Sequence, residues 1–195
     1  MRSKAPDLLP LFRSQHQAEL LTWLYLHPTA EYPMTELATR FGVPLSTTQR
    51  EVQRLVDAGL LRDRSIGRSR MLRAATDHPA AEALTRLLTI SFGPPAIVGR
   101  TFQGLAGVDS VHIYGSWAAR YLGHPGPPPN DVDVLVIGSP ARADVYAAAD
   151  VAQDTLGLPV NPTVRSRAQW QDASDALVQQ IQASPIVTVI PSPAE

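Results

Sequence analysis

Asp131 and Asp133 stand two residues apart at the head of an apolar run, Val132 to Ile137. In an extended strand, residues two apart share a face, so both carboxylates aim at one point. Two such charges repel unless a cation lies between them, and a hard ion such as Mg²⁺ is the natural choice beside a phosphate. Upstream, Gly115-Ser116 follows the apolar stretch ending in Ile113-Tyr114 and precedes Trp117-Ala118-Ala119-Arg120. A strand-to-helix turn there exposes backbone N–H groups and a hydroxyl that can hold a phosphate. Arg120, one turn further on, can meet the same anion.

A second chemistry is written in arginine. Arg62, Arg64, Arg68, Arg70 and Arg73 fall within twelve residues. Guanidinium groups at that density suit a phosphate backbone, through charge-assisted and often bidentate bonds. Just before them runs an amphipathic segment, from about 46 to 57, that is polar on one side. Gln and Arg can read purine edges, and Ser or Thr can serve either bases or phosphates.

The elements that must position these groups follow from periodicity. Leu20, Leu21 and Leu24 give an apolar helical face over 14–27, stopped by Pro28. A second helix fits 34–41, ended by Gly42, and a third runs from about 46 to 57 with Thr48, Val52, Leu55 and Val56 inward. Residues 60–66 read as a strand, Gly67-Arg68 as a turn and 69–73 as the returning strand. Two short helices across a tight turn, followed by a basic hairpin, make a winged helix-turn-helix. Asp77 is then a plausible N-cap, with His78 in a capping or surface role. A helix carries Leu84, Leu87, Leu88 and Ser91 up to Phe92, and another spans 94–105. Beyond it, strands at 108–114, 132–137, 159–164 and 186–190 alternate with helices at 116–121, 142–156 and 168–183. That order describes a small α/β unit with a mixed sheet.

The segment from Phe41 to Leu61 resembles the turn, recognition helix and wing entry of ArsR and MarR type winged-helix regulators. The resemblance covers about 60 residues. It implies Thr48 in the core, with Ser46, Thr47, Gln49, Arg50 and Gln53 toward the major groove and Arg54 nearer a phosphate. Gly115-Ser116 followed by Asp131-Val132-Asp133 resembles the minimal nucleotidyltransferases of the DNA polymerase beta superfamily. That likeness spans roughly residues 95–190. The fourteen residues between Ser116 and Asp131 include Pro125-Gly126-Pro127-Pro128-Pro129, a slightly long and stiff loop.

The second resemblance implies transfer of a nucleoside monophosphate from a nucleoside triphosphate, with Mg²⁺ held by three carboxylates. Asp131 and Asp133 match two of them. Asn161, in the next strand, occupies the third place, and an amide cannot supply the charge or accept a proton as a carboxylate would. Asp154 is an imperfect substitute one helix earlier, while Asp172 and Asp175 read as a solvated helix face.

The net charge of −1 over 195 residues hides an asymmetry. Residues 1–76 hold eleven Lys/Arg against seven Asp/Glu, while residues 77–195 hold six Arg against eleven Asp/Glu. A basic module joined to an acidic one puts only the first against a polyanion. Without cysteine there is no disulfide or zinc–thiolate site. No signal-like or membrane-length apolar run occurs, so a cytoplasmic location is expected.

The expected organisation is a winged helix-turn-helix at 10–76, a connecting helix at 77–93 and a nucleotidyltransferase-like domain at 94–191. The leading expectation is a regulator of double-stranded DNA acting as a homodimer, its second domain nucleotide-sensing or degenerate. The alternatives are an active Mg²⁺-dependent nucleotidyltransferase and an antitoxin-type partner of a small toxin protein. Winged helices also serve as dimerisation modules.

Overall fold

A computed structural model describes residues 9–173 and 175–192. Residues 1–8, where no signal segment was expected, lie outside the described residues, as does residue 174 within the helix expected at 168–183. The chain folds as two compact units, one up to Gly93 and the other from Pro94.

In the first unit, α1 (Gln15–Leu26) starts at Ser14, whose hydroxyl accepts the Gln17 N–H. Its Leu20, Leu21 and Leu24 are buried, as their spacing requires. α2 (Met34–Arg40) and α3 (Leu45–Asp57) flank the turn at Gly42. Thr48, Val52 and Leu55 face the core and Val56 is half-buried. The wing is β2 (Leu61–Ile66) and β3 (Ser69–Ala74), paired antiparallel. A two-residue strand, β1 (Tyr32–Pro33), pairs with the other side of β3, giving the order β1-β3-β2. It is too short for a periodicity signal.

α4 (Ala81–Phe92) is the helix expected to connect the units. It packs on α1, with Leu88 fully buried in the first unit's core and Phe92 edge-on to Phe12 at 5.5 Å. Asp77 is not its cap. That carboxylate pairs with Arg62 at 2.9 Å, and His78 Nδ1 accepts the Ala80 N–H instead.

The second unit opens with α5 (Pro94–Phe102), one turn shorter than expected. Then come β4 (Val108–Tyr114), α6 (Gly115–Tyr121), β5 (Val132–Gly138), α7 (Arg142–Leu156) and β6 (Val160–Arg165). The sheet order is β6-β5-β4-β7, with β7 (Val187–Ile190) and β5 antiparallel to β4. Only β6 lies parallel to its neighbour, after the α7 crossover. Central β5 reads as a continuous apolar run because both its faces are covered. Val134 and Val136 meet α5 and α7, while Leu135 and Ile137 meet the opposite layer with Ile181.

The single helix expected at 168–183 is two: α8 (Arg167–Gln171) and α9 (Ala176–Gln182). Ala173 between them has φ +46°, a left-handed conformation. Asp175 caps α9, accepting the Val178 N–H at 2.9 Å and Arg165 Nε at 2.9 Å. The Val178 bond and Arg165 hold its carboxyl below the usual range. Asp175 is therefore a structural cap rather than part of a solvated face.

Candidate functional site

On α3, the residues not needed for the core point outward together. Ser46, Gln49, Arg50 and Gln53 line an open groove of about 630 Å³. Thr47 is half-buried, and its hydroxyl accepts a long bond from Arg50 Nη2 at 3.4 Å. Gln53 has both ends of its amide engaged. Its Nε2 donates to Asp57 Oδ1 at 2.8 Å and its Oε1 accepts from Arg70 Nη2 at 3.0 Å. Gln53 thereby ties the helix to the hairpin. Arg54 turns to Glu51 at 3.2 Å, and Glu51, only 7% exposed, also accepts from Gln17 Nε2 at 2.7 Å.

The wing arginines are less available than their number suggests. Arg64 makes three bonds to the Glu31 carboxylate, the shortest 2.5 Å, and Arg73 reaches the same group at 3.8 Å. Those contacts, chiefly the Arg64 hydrogen bonds, hold the Glu31 carboxyl below its ordinary range. Arg70 pairs with Asp63 at 2.6 Å, a diagonal cross-strand contact, and Arg62 with Asp77. Among the described residues Arg50 and Arg68, the latter exposed at the hairpin tip, have no ion pair.

The second unit gathers the other set. Asp133 on β5 registers with Tyr114 on one side and Asn161 on the other. Gly115 opens α6 at φ +73°, and a Cβ there would lie 2.5 Å from Asp133 Oδ2. The carboxylate rests against the bare Cα. Asn161 Nδ2 donates to Asp131 Oδ2 at 3.0 Å and to Asp133 Oδ1 at 3.4 Å. Burial pushes the Asp133 carboxyl up, the Asp131 charge adds to this, and the Asn161 bond opposes it.

Ser116, Arg120, Asp131 and the prolines Pro127, Pro128, Pro129 and Pro159 line an adjoining depression of about 470 Å³. Arg120 is turned toward its own loop, donating Nη1 to the His124 carbonyl and lying against Gly126. Among the described residues, no third His, Cys, Asp or Glu joins the aspartate pair as a metal-holding group, and Asp154 on α7 does not complete it. The donor set is two carboxylates and an amide that presents N–H to both. That does not fit the three-carboxylate Mg²⁺ site implied by the resemblance.

Comparison with known proteins bears on the first unit. The sequence model of the MarR family matches residues 13–70. The first unit is a MarR-family winged helix-turn-helix domain. No curated protein matches the chain. Among solved structures, reduced HlyU from Vibrio cholerae is 19% identical over 43% of this chain and 82% of its own, with a TM-score of 0.35. The transcriptional repressor BigR from Xylella fastidiosa is 23% identical over 43% and 79%, also at 0.35. A mutant MarR from E. coli complexed with operator DNA is 20% identical over 44% and 60%, at 0.34.

In the MarR-type domain the structure gathers the expected helix face, and it sets Arg62, Arg64 and Arg70 of the wing in ion pairs with acids of the same unit. The acids Glu31, Asp57, Asp63 and Asp77 were missed as partners. The hairpin turn at Gly67-Arg68 is the signal for one of these pairs, since it sets Asp63 and Arg70 diagonally across the two strands. Glu31 gave no local signal, because its pairing depends on β1 lying beside β3. No helix among the described residues is long and apolar enough to cross a membrane.

Proposed function

We propose that this chain is a DNA-binding transcriptional regulator of the MarR/ArsR type, acting as a homodimer, with a non-catalytic nucleotidyltransferase-like second domain. The observation that carries this reading is the exposed α3 face. Ser46, Gln49 and Arg50 project from a helix whose opposite side, Thr48, Val52 and Leu55, is locked in the core. A rigid helix with polar, base-reading side chains outward is what the major groove accepts. Arg68 at the wing tip reaches for a phosphate, and a two-fold copy supplies the second half-site, about 10 base pairs away or a multiple of that.

The second domain is read as nucleotidyltransferase-like from the Gly115-Ser116 turn, Asp131 and Asp133 held together across three elements. It is read as non-catalytic because an amide stands where a third carboxylate is needed. No step of nucleotidyl transfer is assigned to it.

The test is binding of the full chain to duplex DNA from the region upstream of its own gene, measured over a salt series. Affinity is expected to fall steeply as salt rises, and footprinting is expected to show paired half-sites. If no duplex is bound in a salt-sensitive way, the regulator reading fails.

Glu31 supplies a sharper prediction. Glu31→Gln removes the charge that engages Arg64 and Arg73 and frees both for phosphates. Fluorescence anisotropy is expected to show a few-fold tighter binding at low salt for any duplex, with the log–log salt slope steeper by about 1 to 2. An unchanged slope would mean that these arginines lie away from the DNA.

A further inference from the structure

The two aspartates of the second unit pose an electrostatic problem that the fold must solve. Asp131 and Asp133 converge on the same side chain, and both are half-buried. Like charges held that close require something positive between them. In this chain the positive end belongs to an amide. Asn161 sits on β6 in register with Asp133, and its single Nδ2 reaches Asp131 Oδ2 at 3.0 Å and Asp133 Oδ1 at 3.4 Å. A carboxamide nitrogen carries two hydrogens, one for each carboxylate, so the count is satisfied without remainder.

We infer that the Asn161 amide stands in for the cation, bridging Asp131 and Asp133 through its two N–H groups so that the pair is held without a divalent metal. The rest of the site fits this role. Gly115 offers no Cβ, which lets the Asp133 carboxylate settle against the α6 entrance. The Arg120 guanidinium is bonded to the His124 carbonyl and adds no ion pair to the aspartates among the described residues. To admit Mg²⁺ or Mn²⁺, the amide would have to turn over. It would give up both hydrogen bonds and offer in return one neutral oxygen, and divalent affinity in oxygen-ligand sites is tuned by the number of charged ligands. The site is closed to the ion by its chemistry rather than by bulk.

This inference rests on the nucleotidyltransferase-like reading of the second domain, and one experiment separates the two. Mn²⁺ is titrated into the full chain, with binding followed by calorimetry and by the loss of the free-ion EPR signal. Thermal melting with and without Mn²⁺ is recorded alongside. The wild-type chain is expected to show no saturable site and no rise in melting temperature. Asn161→Asp is expected to bind Mn²⁺ saturably, with affinity higher on the order of tenfold or more, and to melt higher with Mn²⁺ than without. Adding Asp133→Asn to that variant is expected to remove the site.

Saturable binding by the wild-type chain overturns the inference and leaves the nucleotidyltransferase-like reading intact. If neither chain binds, the three side chains form no metal-type site, and both the inference and that reading of the domain fall. Should Asn161→Asp not fold without metal, Asn161→Ala is read by the same criteria, because it also removes the bridge and leaves two carboxylates open to the ion.

Discussion

Gly115→Ala is expected to melt the second unit about 10–20 °C below wild type while leaving the MarR-type domain's transition in place. Two costs combine. A residue with a Cβ at φ +73° costs about 1–2 kcal/mol in the left-handed region. The new methyl would also sit 2.5 Å from Asp133 Oδ2, so the carboxylate must move off its Asn161 bond or the turn must open. Together these come to roughly 2–4 kcal/mol, a large share of a small domain's stability.

Gly123→Ala separates the two costs. Gly123 has φ +88° but nothing within 4 Å of an added Cβ, so only the backbone part applies. Differential scanning calorimetry of both variants checks this. Equal shifts would mean that the Gly115–Asp133 approach contributes nothing. DNA binding measured below the lowered transition is expected to persist.

Arg50→Ala is expected to weaken binding to the specific duplex by about 1–3 kcal/mol, roughly 5- to 150-fold, while changing non-specific binding little. Arg50 is exposed in the α3 groove, and among the described residues its only bond is the long one to Thr47. No acid among the described residues pairs with it. The contrast is Arg68→Ala, which is expected to weaken binding evenly across sequences and to reduce the salt slope by about 1. Competition assays against a single-base substitution series distinguish base reading from phosphate contact. If Arg50→Ala loses affinity uniformly, it is a phosphate ligand and Gln49 is left as the principal reader. Gln53, also expected to face the major groove, is bonded at both ends of its amide, to Asp57 and to Arg70, and so ties the helix to the wing.

Much of the architecture was legible because it follows from local rules. The α7 bounds, the Ser14 start of α1 and the wing hairpin all sit where periodicity and turn residues put them. What escaped was non-local. β1 has two residues and exists only because β3 offers it an edge. The helix over 168–183 is continuous by hydrophobic spacing, but Asp175 makes a better cap and Arg165 partner than a mid-helix residue.

The same distinction governs the sites. The grouping of Gly115, Asp131, Asp133 and Asn161 was readable through the resemblance carried by the Gly-Ser and Asp-x-Asp motifs, which implies a third position in the next strand. That Asn161 would donate to both carboxylates needed the parallel β5–β6 pairing. The wing offered five arginines to a linear reading, and only folding revealed which acids they face.

Those acids have a kinetic consequence. A regulator must scan an enormous excess of unrelated sequence, and each arginine that grips phosphate indiscriminately lengthens every wrong stop. With Arg62, Arg64 and Arg70 each resting on a carboxylate of their own chain, a duplex bound as proposed would first have to displace an internal competitor. On the proposed DNA-binding reading, Glu31, Asp63 and Asp77 would act as internal competitors, shortening residence on unrelated DNA and leaving the long dwell to operators that also satisfy Gln49 and Arg50.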